Sequence, residues 1–102
     1  MIQFLFWEEC PSHEEALQLL RDVLEDVGRA DEPIEIVEVT TDEDAARLGF
    51  RGSPTILVDG KDIDDWGEPR AGSALTCRTY RLPDGRPSPV PSRRQLEEAL
   101  AP

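Results

Sequence analysis

The chain has 102 residues, 22 of them acidic and 11 basic, for a formal net charge of −11. That length suits one small domain with a modest core and leaves no room for two. So negative a balance repels phosphate backbones and anionic lipid, which argues against nucleic acid and membrane surfaces as partners.

The first predicted element runs from Ile2 to Trp7, apolar throughout except for Gln3. A run this short and rich in aromatics fits a strand buried on both faces. The N-terminal residues carry no basic segment and no cleavage-like site, and no stretch approaches a membrane span, so neither a signal peptide nor a membrane anchor is expected. Two cysteines without an export signal imply a reducing, cytoplasmic setting, where a resting structural disulfide is disfavoured.

From Pro11 the period changes. Ala16, Leu17, Leu20, Val23, Leu24 and Val27 recur at helical spacing, with Glu14, Glu15, Arg21, Asp22 and Glu25 on the other side. Pro11 suits the first helical position and Gly28 the end. Ile34 to Val39 reads as a second strand by its β-branched content. Thr41 followed by Asp44 is a weak capping box for a short helix that Gly49 closes. Thr55 to Val58 is a third strand, and Asp59-Gly60 signals a hairpin into an antiparallel partner.

Lys61 to Thr76 shows no clear period and reads as mainly loop, with a brief strand at its start. Cys77 to Leu82 alternates like a fourth strand, ended by Pro83-Asp84-Gly85. The prolines of Pro87 to Ser92 require extended backbone. Ser92 then caps a last helix over 93–101, with Leu96 and Leu100 on its inner side.

Cys10 stands where the first strand meets the first helix, an edge that solvent reaches. Unpaired N–H groups and the helix dipole stabilise a thiolate there. Glu8, Glu9, Glu14 and Glu15 oppose that, because like charge disfavours ionisation. His13, three residues on, is either an imidazolium partner or base for Cys10, or a solvated residue of the first turn. Cys77, the only other thiol, is either a remote resolving thiol or a core cysteine. Trp7 and Trp66 are candidates for the walls of a cleft and equally for the core. Asp62, Asp64 and Asp65 lack the spacing of a calcium loop and read as a solvated face.

Taken together, the β-α-β-α-β-β-α order, the Cys-Pro pair at the first strand-helix junction and the segment "LGFRGSPTILVDGK" (Leu48 to Lys61) resemble the thioredoxin and glutaredoxin fold. More loosely, the chain resembles small bacterial thioredoxin-like proteins related to alkylmercury lyase. The resemblance implies an α/β thioredoxin-like domain spanning 1–102, a mixed four-stranded sheet with helices on both faces, and Pro54 as a cis-proline between Ser53 and Thr55. It also implies thiol–disulfide exchange with a protein disulfide or a glutathione-like thiol, by a monomer or weak homodimer without a cofactor. Cys10 would then be the nucleophile, His13 its electrostatic partner and Cys77 a conditional resolver. Trp7, Pro11, Ser12, Ser53, Pro54 and Thr55 would form the substrate platform. One departure stands out. Where dithiol members carry C-x-x-C, this chain reads Cys10-Pro11-Ser12-His13, so the two-cysteine cycle within the motif is unavailable. Two other readings follow from the same residues. One is a binding module that has lost turnover; the other is a handler of soft metals or organomercurials through Cys10, His13 and Cys77.

Overall fold

Successive side chains of a strand point to opposite faces, and β1 (Ile2–Phe6) is apolar on both. Ile2 and Phe4 enter one core cluster, whereas Leu5 enters a second. The strand is correspondingly central. In the computed structural model, which describes residues 2–48, 50, 52–63 and 79–100, the sheet order is β2-β1-β3-β4. β1 runs parallel to β2 (Ile34–Glu38), with Ile2 opposite Ile34 and Phe6 opposite Glu38. It runs antiparallel to β3 (Thr55–Val58), with Leu5 opposite Thr55. The fold is mixed α/β, with three helices and a four-stranded mixed sheet.

A parallel neighbour requires a crossover, and α1 (Ser12–Asp26) supplies it. Its apolar stripe buries Ala16, Leu20, Val23 and Leu24 against Ile2, Phe4 and Ile56. The helix ends in a Schellman turn: Arg29 N–H reaches the Leu24 carbonyl at 2.7 Å, Gly28 N–H reaches Glu25 at 3.2 Å, and Gly28 sits at φ 81°. α2 (Asp42–Leu48) lies in the cluster of the opposite face, where Ala45 joins Leu5, Val39 and Phe50. Thr41 caps it, its hydroxyl accepting from Asp44 N–H at 3.0 Å, while the Asp44 carboxylate pairs with Arg47 at 3.1 Å. The reciprocal half of the expected capping box is therefore replaced by an ion pair.

After β3 the chain reverses through Asp59 (φ 52°) and Gly60 (φ 83°) into β4 (Lys61–Asp62). Two consecutive positive φ values match the twist of a tight hairpin, and so β4 follows β3 directly. This corrects the expected fourth strand. The segment predicted over Cys77 to Leu82 contributes instead to a separate two-stranded ribbon, β5 (Tyr80–Arg81) with β6 (Pro87–Ser88). The turn between them closes through Gly85 N–H to the Leu82 carbonyl at 2.8 Å, which makes the ribbon local. Cys77, Arg78, Trp66, Asp64 and Asp65 lie outside the described residues.

α3 (Arg93–Leu100) is capped as expected, Gln95 N–H donating to Ser92 Oγ at 3.1 Å. Leu96 and Leu100 are buried in the α1 cluster, so helices cover both faces of the sheet. Two polar contacts fix α3 against α1 and its exit loop. Arg93 pairs with Asp26, and Arg29 donates to the Leu100 carbonyl at 2.9 Å. At the β2 edge, Ile36 is 44% exposed, between Glu35 and Val37. No helix among the described residues is long and apolar enough to cross a membrane.

A Cβ placed on Gly60 would meet nothing within 4 Å, so its substitution probes backbone conformation alone. Gly60→Ala is expected to lower unfolding free energy by about 1–2 kcal/mol, the cost of an L-residue in the left-handed region. Urea denaturation of the two proteins measures it.

Candidate functional site

Three short segments meet at the C-terminal end of β1. The first is a turn: Cys10 N–H donates to the Trp7 carbonyl at 3.0 Å, which folds Cys10 back beneath the strand end. The second is the start of α1, with Pro11 at the N-cap position in helical conformation (φ −69°, ψ −14°) and no side-chain cap. The third is the entry to β3, where the Ser53-Pro54 peptide bond is cis. Trp7 N–H donates to Ser53 Oγ at 3.0 Å and so joins the end of β1 to that entry.

The result brings Cys10 against Ser53. The Cys10 S–H donates to the Ser53 carbonyl at 3.6 Å, and Ser12 Oγ lies 3.3 Å from the same sulfur. Residues 43 apart in the chain thus share a contact, and two of the segments singled out in the sequence form one site. Burial is where the structure corrects expectation. Cys10 is only 2% exposed, because the turn tucks it inward and the Ser53 carbonyl covers the sulfur. The expected solvent-facing thiol is therefore a covered one.

The electrostatics divide into two opposing sets. The α1 N-terminus favours a thiolate at Cys10, and a hydroxyl at 3.3 Å can donate to it. A carbonyl oxygen accepting S–H favours the protonated form. Glu8, Glu9, Glu14 and Glu15 are all exposed, so their repulsion of a thiolate is weakened by solvent.

His13 turns one ring nitrogen to the backbone. Its Nδ1 lies 2.7 Å from the Cys10 carbonyl, and a carbonyl accepts only, so Nδ1 carries the proton. The ring stacks on Phe6 with centroids 4.6 Å apart and planes inclined by 24°. His13 therefore braces the backbone of the turn. Among the described residues no group of three His, Cys, Asp or Glu side chains is placed to hold a metal.

Of the remaining predicted platform residues, Ser53 and Thr55 are fully buried, and Trp7 is half-buried beside the Leu5 and Phe50 cluster. Thr55 Oγ1 donates to the Gly52 carbonyl at 2.6 Å. Ser53 also forms a one-residue β-bridge, so part of its backbone hydrogen-bonding capacity is already used. Pro11 is exposed and Ser12 half-buried at the mouth of the site.

Tyr80, read from the sequence only as part of a strand, enters the site as well. Its hydroxyl donates to the Pro54 carbonyl at 2.5 Å, and the side chain is 1% exposed. The signal was present: a lone tyrosine among polar residues, if buried, must find a partner for its O–H. A cavity of about 670 Å³ lies elsewhere, between the β5–β6 ribbon and α3, lined by Ile63, Arg81, Leu82, Ser92, Arg94 and Gln95 among others. Its described lining holds no cysteine or histidine.

No protein-family model matches the chain, and neither the curated proteins nor the solved structures include a match to it. The functional reading therefore stands on the geometry.

The Trp7–Ser53 bond links elements distant in sequence, and Ser53 is fully buried. Ser53→Ala leaves the Trp7 N–H without its acceptor and is expected to cost about 1–3 kcal/mol of stability. Chemical denaturation followed by tryptophan fluorescence checks this.

Proposed function

We propose that this chain is a single thioredoxin-like domain that carries out thiol–disulfide exchange through Cys10. The observation that carries the reading is the contact between the Cys10 sulfur, at the start of α1, and the Ser53 carbonyl that precedes a cis-proline. The β2-β1-β3-β4 order, with β1 parallel to β2, β3 antiparallel to β1 and β4 antiparallel to β3, supports the same fold.

In the exchange, the Cys10 thiolate attacks one sulfur of a substrate disulfide. The S–S bond breaks, the other sulfur departs as a thiolate and takes up a proton, and a mixed disulfide with Cys10 remains. A second thiol, either a glutathione-like small thiol or Cys77, then attacks that mixed disulfide. The attack falls on the Cys10 sulfur, and the remaining substrate sulfur departs as a thiolate and is protonated. Cys10 ends in a disulfide with the attacking thiol, the two thiols having supplied one electron each. His13 contributes no sulfur, so the resolving thiol comes from outside the motif. Protein disulfides and small thiols are the proposed partners, a reducing cytoplasm the proposed setting, and a monomer or weak homodimer the proposed state.

A second reading is favoured by one observation. A cysteine that is 2% exposed and whose thiol donates to a carbonyl has the environment of an unreactive thiol. On that reading the fold is retained as a binding module without turnover.

Equilibration in glutathione redox buffers, followed by acid quench, alkylation and intact-mass analysis, separates the two. Exchange predicts either one glutathione adduct that Cys10→Ser removes, or a loss of two protons that both Cys10→Ser and Cys77→Ser prevent. Turnover of a model disulfide should fall to the uncatalysed rate in Cys10→Ser. Full activity in that variant would end the exchange reading, and thiols that stay reduced under oxidising poise would put the binding module in its place.

A further inference from the structure

Tyr80 is the chain's one tyrosine, and it reaches the Cys10 site from the β5–β6 ribbon, outside the four-stranded sheet. We propose that Tyr80 is a positioning residue for Cys10: by fixing the Pro54 carbonyl, its hydroxyl holds the neighbouring Ser53 carbonyl against the sulfur. The functional meaning of this rests on the reading of Cys10 as the reacting thiol.

The argument is one of rotational freedom. A proline ring locks its own φ, so the main rotation left at Pro54 is about its Cα–C bond. That rotation moves the Pro54 carbonyl relative to the Ser53 peptide, and the 2.5 Å bond from Tyr80 arrests it. On the other side, Thr55 Oγ1 holds the Gly52 carbonyl at 2.6 Å, and Ser53 Oγ is held by Trp7 N–H at 3.0 Å. With the peptides around Ser53 clamped, its carbonyl cannot swing away from the sulfur at 3.6 Å. A fixed carbonyl dipole stabilises S–H and does not reorient as negative charge develops, so it opposes thiolate formation. Tyr80 thereby adjusts the reactive fraction of Cys10 without touching the sulfur.

The ionisable groups around Cys10 leave room for this control. His13 is engaged with the Cys10 carbonyl, and Glu8, Glu9, Glu14 and Glu15 are exposed. Residues 52–55 bring no carboxylate, ammonium or guanidinium to the sulfur, so what they contribute there is backbone dipole.

The test is the pH profile of iodoacetamide alkylation in a Cys77→Ser background, where Cys10 is the only thiol. Tyr80→Phe keeps the ring and removes only the donor. Its profile midpoint is expected to move to lower pH by half to one unit, raising the rate at neutral pH about three- to tenfold. Leu96→Ala, a core change in α3, controls for general loosening and should leave the midpoint in place. Thr55→Val removes the other clamp and should shift the midpoint in the same direction, which keeps the proposal testable if Tyr80→Phe does not fold. An unmoved midpoint in whichever of the two folds, or a shift equal to that of Leu96→Ala, overturns the proposal. Turnover does not enter this readout. A failed exchange assay would leave the Tyr80 result standing, and an unmoved midpoint would leave the exchange chemistry standing.

Discussion

One hydrogen bond organises the functional end of the molecule: Trp7 N–H to the Ser53 side chain. Trp7 is the first residue past β1, and Ser53 lies two residues before β3. The antiparallel register of those strands sets Leu5 opposite Thr55, so Trp7 and Ser53 continue the same pairing beyond the ladder. There the side chain takes the place of a backbone acceptor. The substitution lets the Ser53 carbonyl turn toward Cys10 while β1 remains tied to its neighbour. The turn, the helix start and the β3 entry all take their positions from this junction.

Much of the frame was legible because it depends on local patterns. The two-faced apolar run of β1, the helical period from Ala16 to Val27 and the Asp59-Gly60 turn each carry their signal within a few residues. The cis bond at Ser53-Pro54 followed from resemblance alone, and the structure contains it. What escaped the sequence was long-range. Tyr80 meets Pro54 across 26 residues, and nothing near either one announces the other. The fourth strand was misplaced for a related reason: an alternating run at 77–82 looks the same whether it pairs with a sheet or with its own hairpin partner. The tight Asp59-Gly60 turn, correctly read, already pointed to Lys61–Asp62 as the neighbour of β3.

The Cys10 site shows how position and environment can argue in opposite directions. Its place at the head of a helix is one that lowers the cost of a thiolate. Its immediate contacts are a carbonyl that prefers the thiol and a hydroxyl that can serve either form. His13, the residue best suited by type to settle the balance, spends its Nδ1–H on the backbone and its ring face on Phe6. Control over the sulfur thus passes from side-chain charge to the geometry of one peptide group.

The β2 edge has a consequence for how the protein behaves in concentrated solution. Ile36 is the one large hydrophobic side chain among the described residues that is exposed, and it sits on a strand with a partner on one side only in the described sheet. Such an edge invites pairing with a second copy. Glu35 and Glu38 share the strand, and the whole chain carries −11, so two copies approaching edge to edge meet a mutual repulsion. That barrier is made of charge and not of shape. It thins as salt shortens the screening length from about 10 Å at 0.1 M to about 3 Å at 1 M. Colloidal stability at this edge is therefore a property of the buffer as much as of the fold.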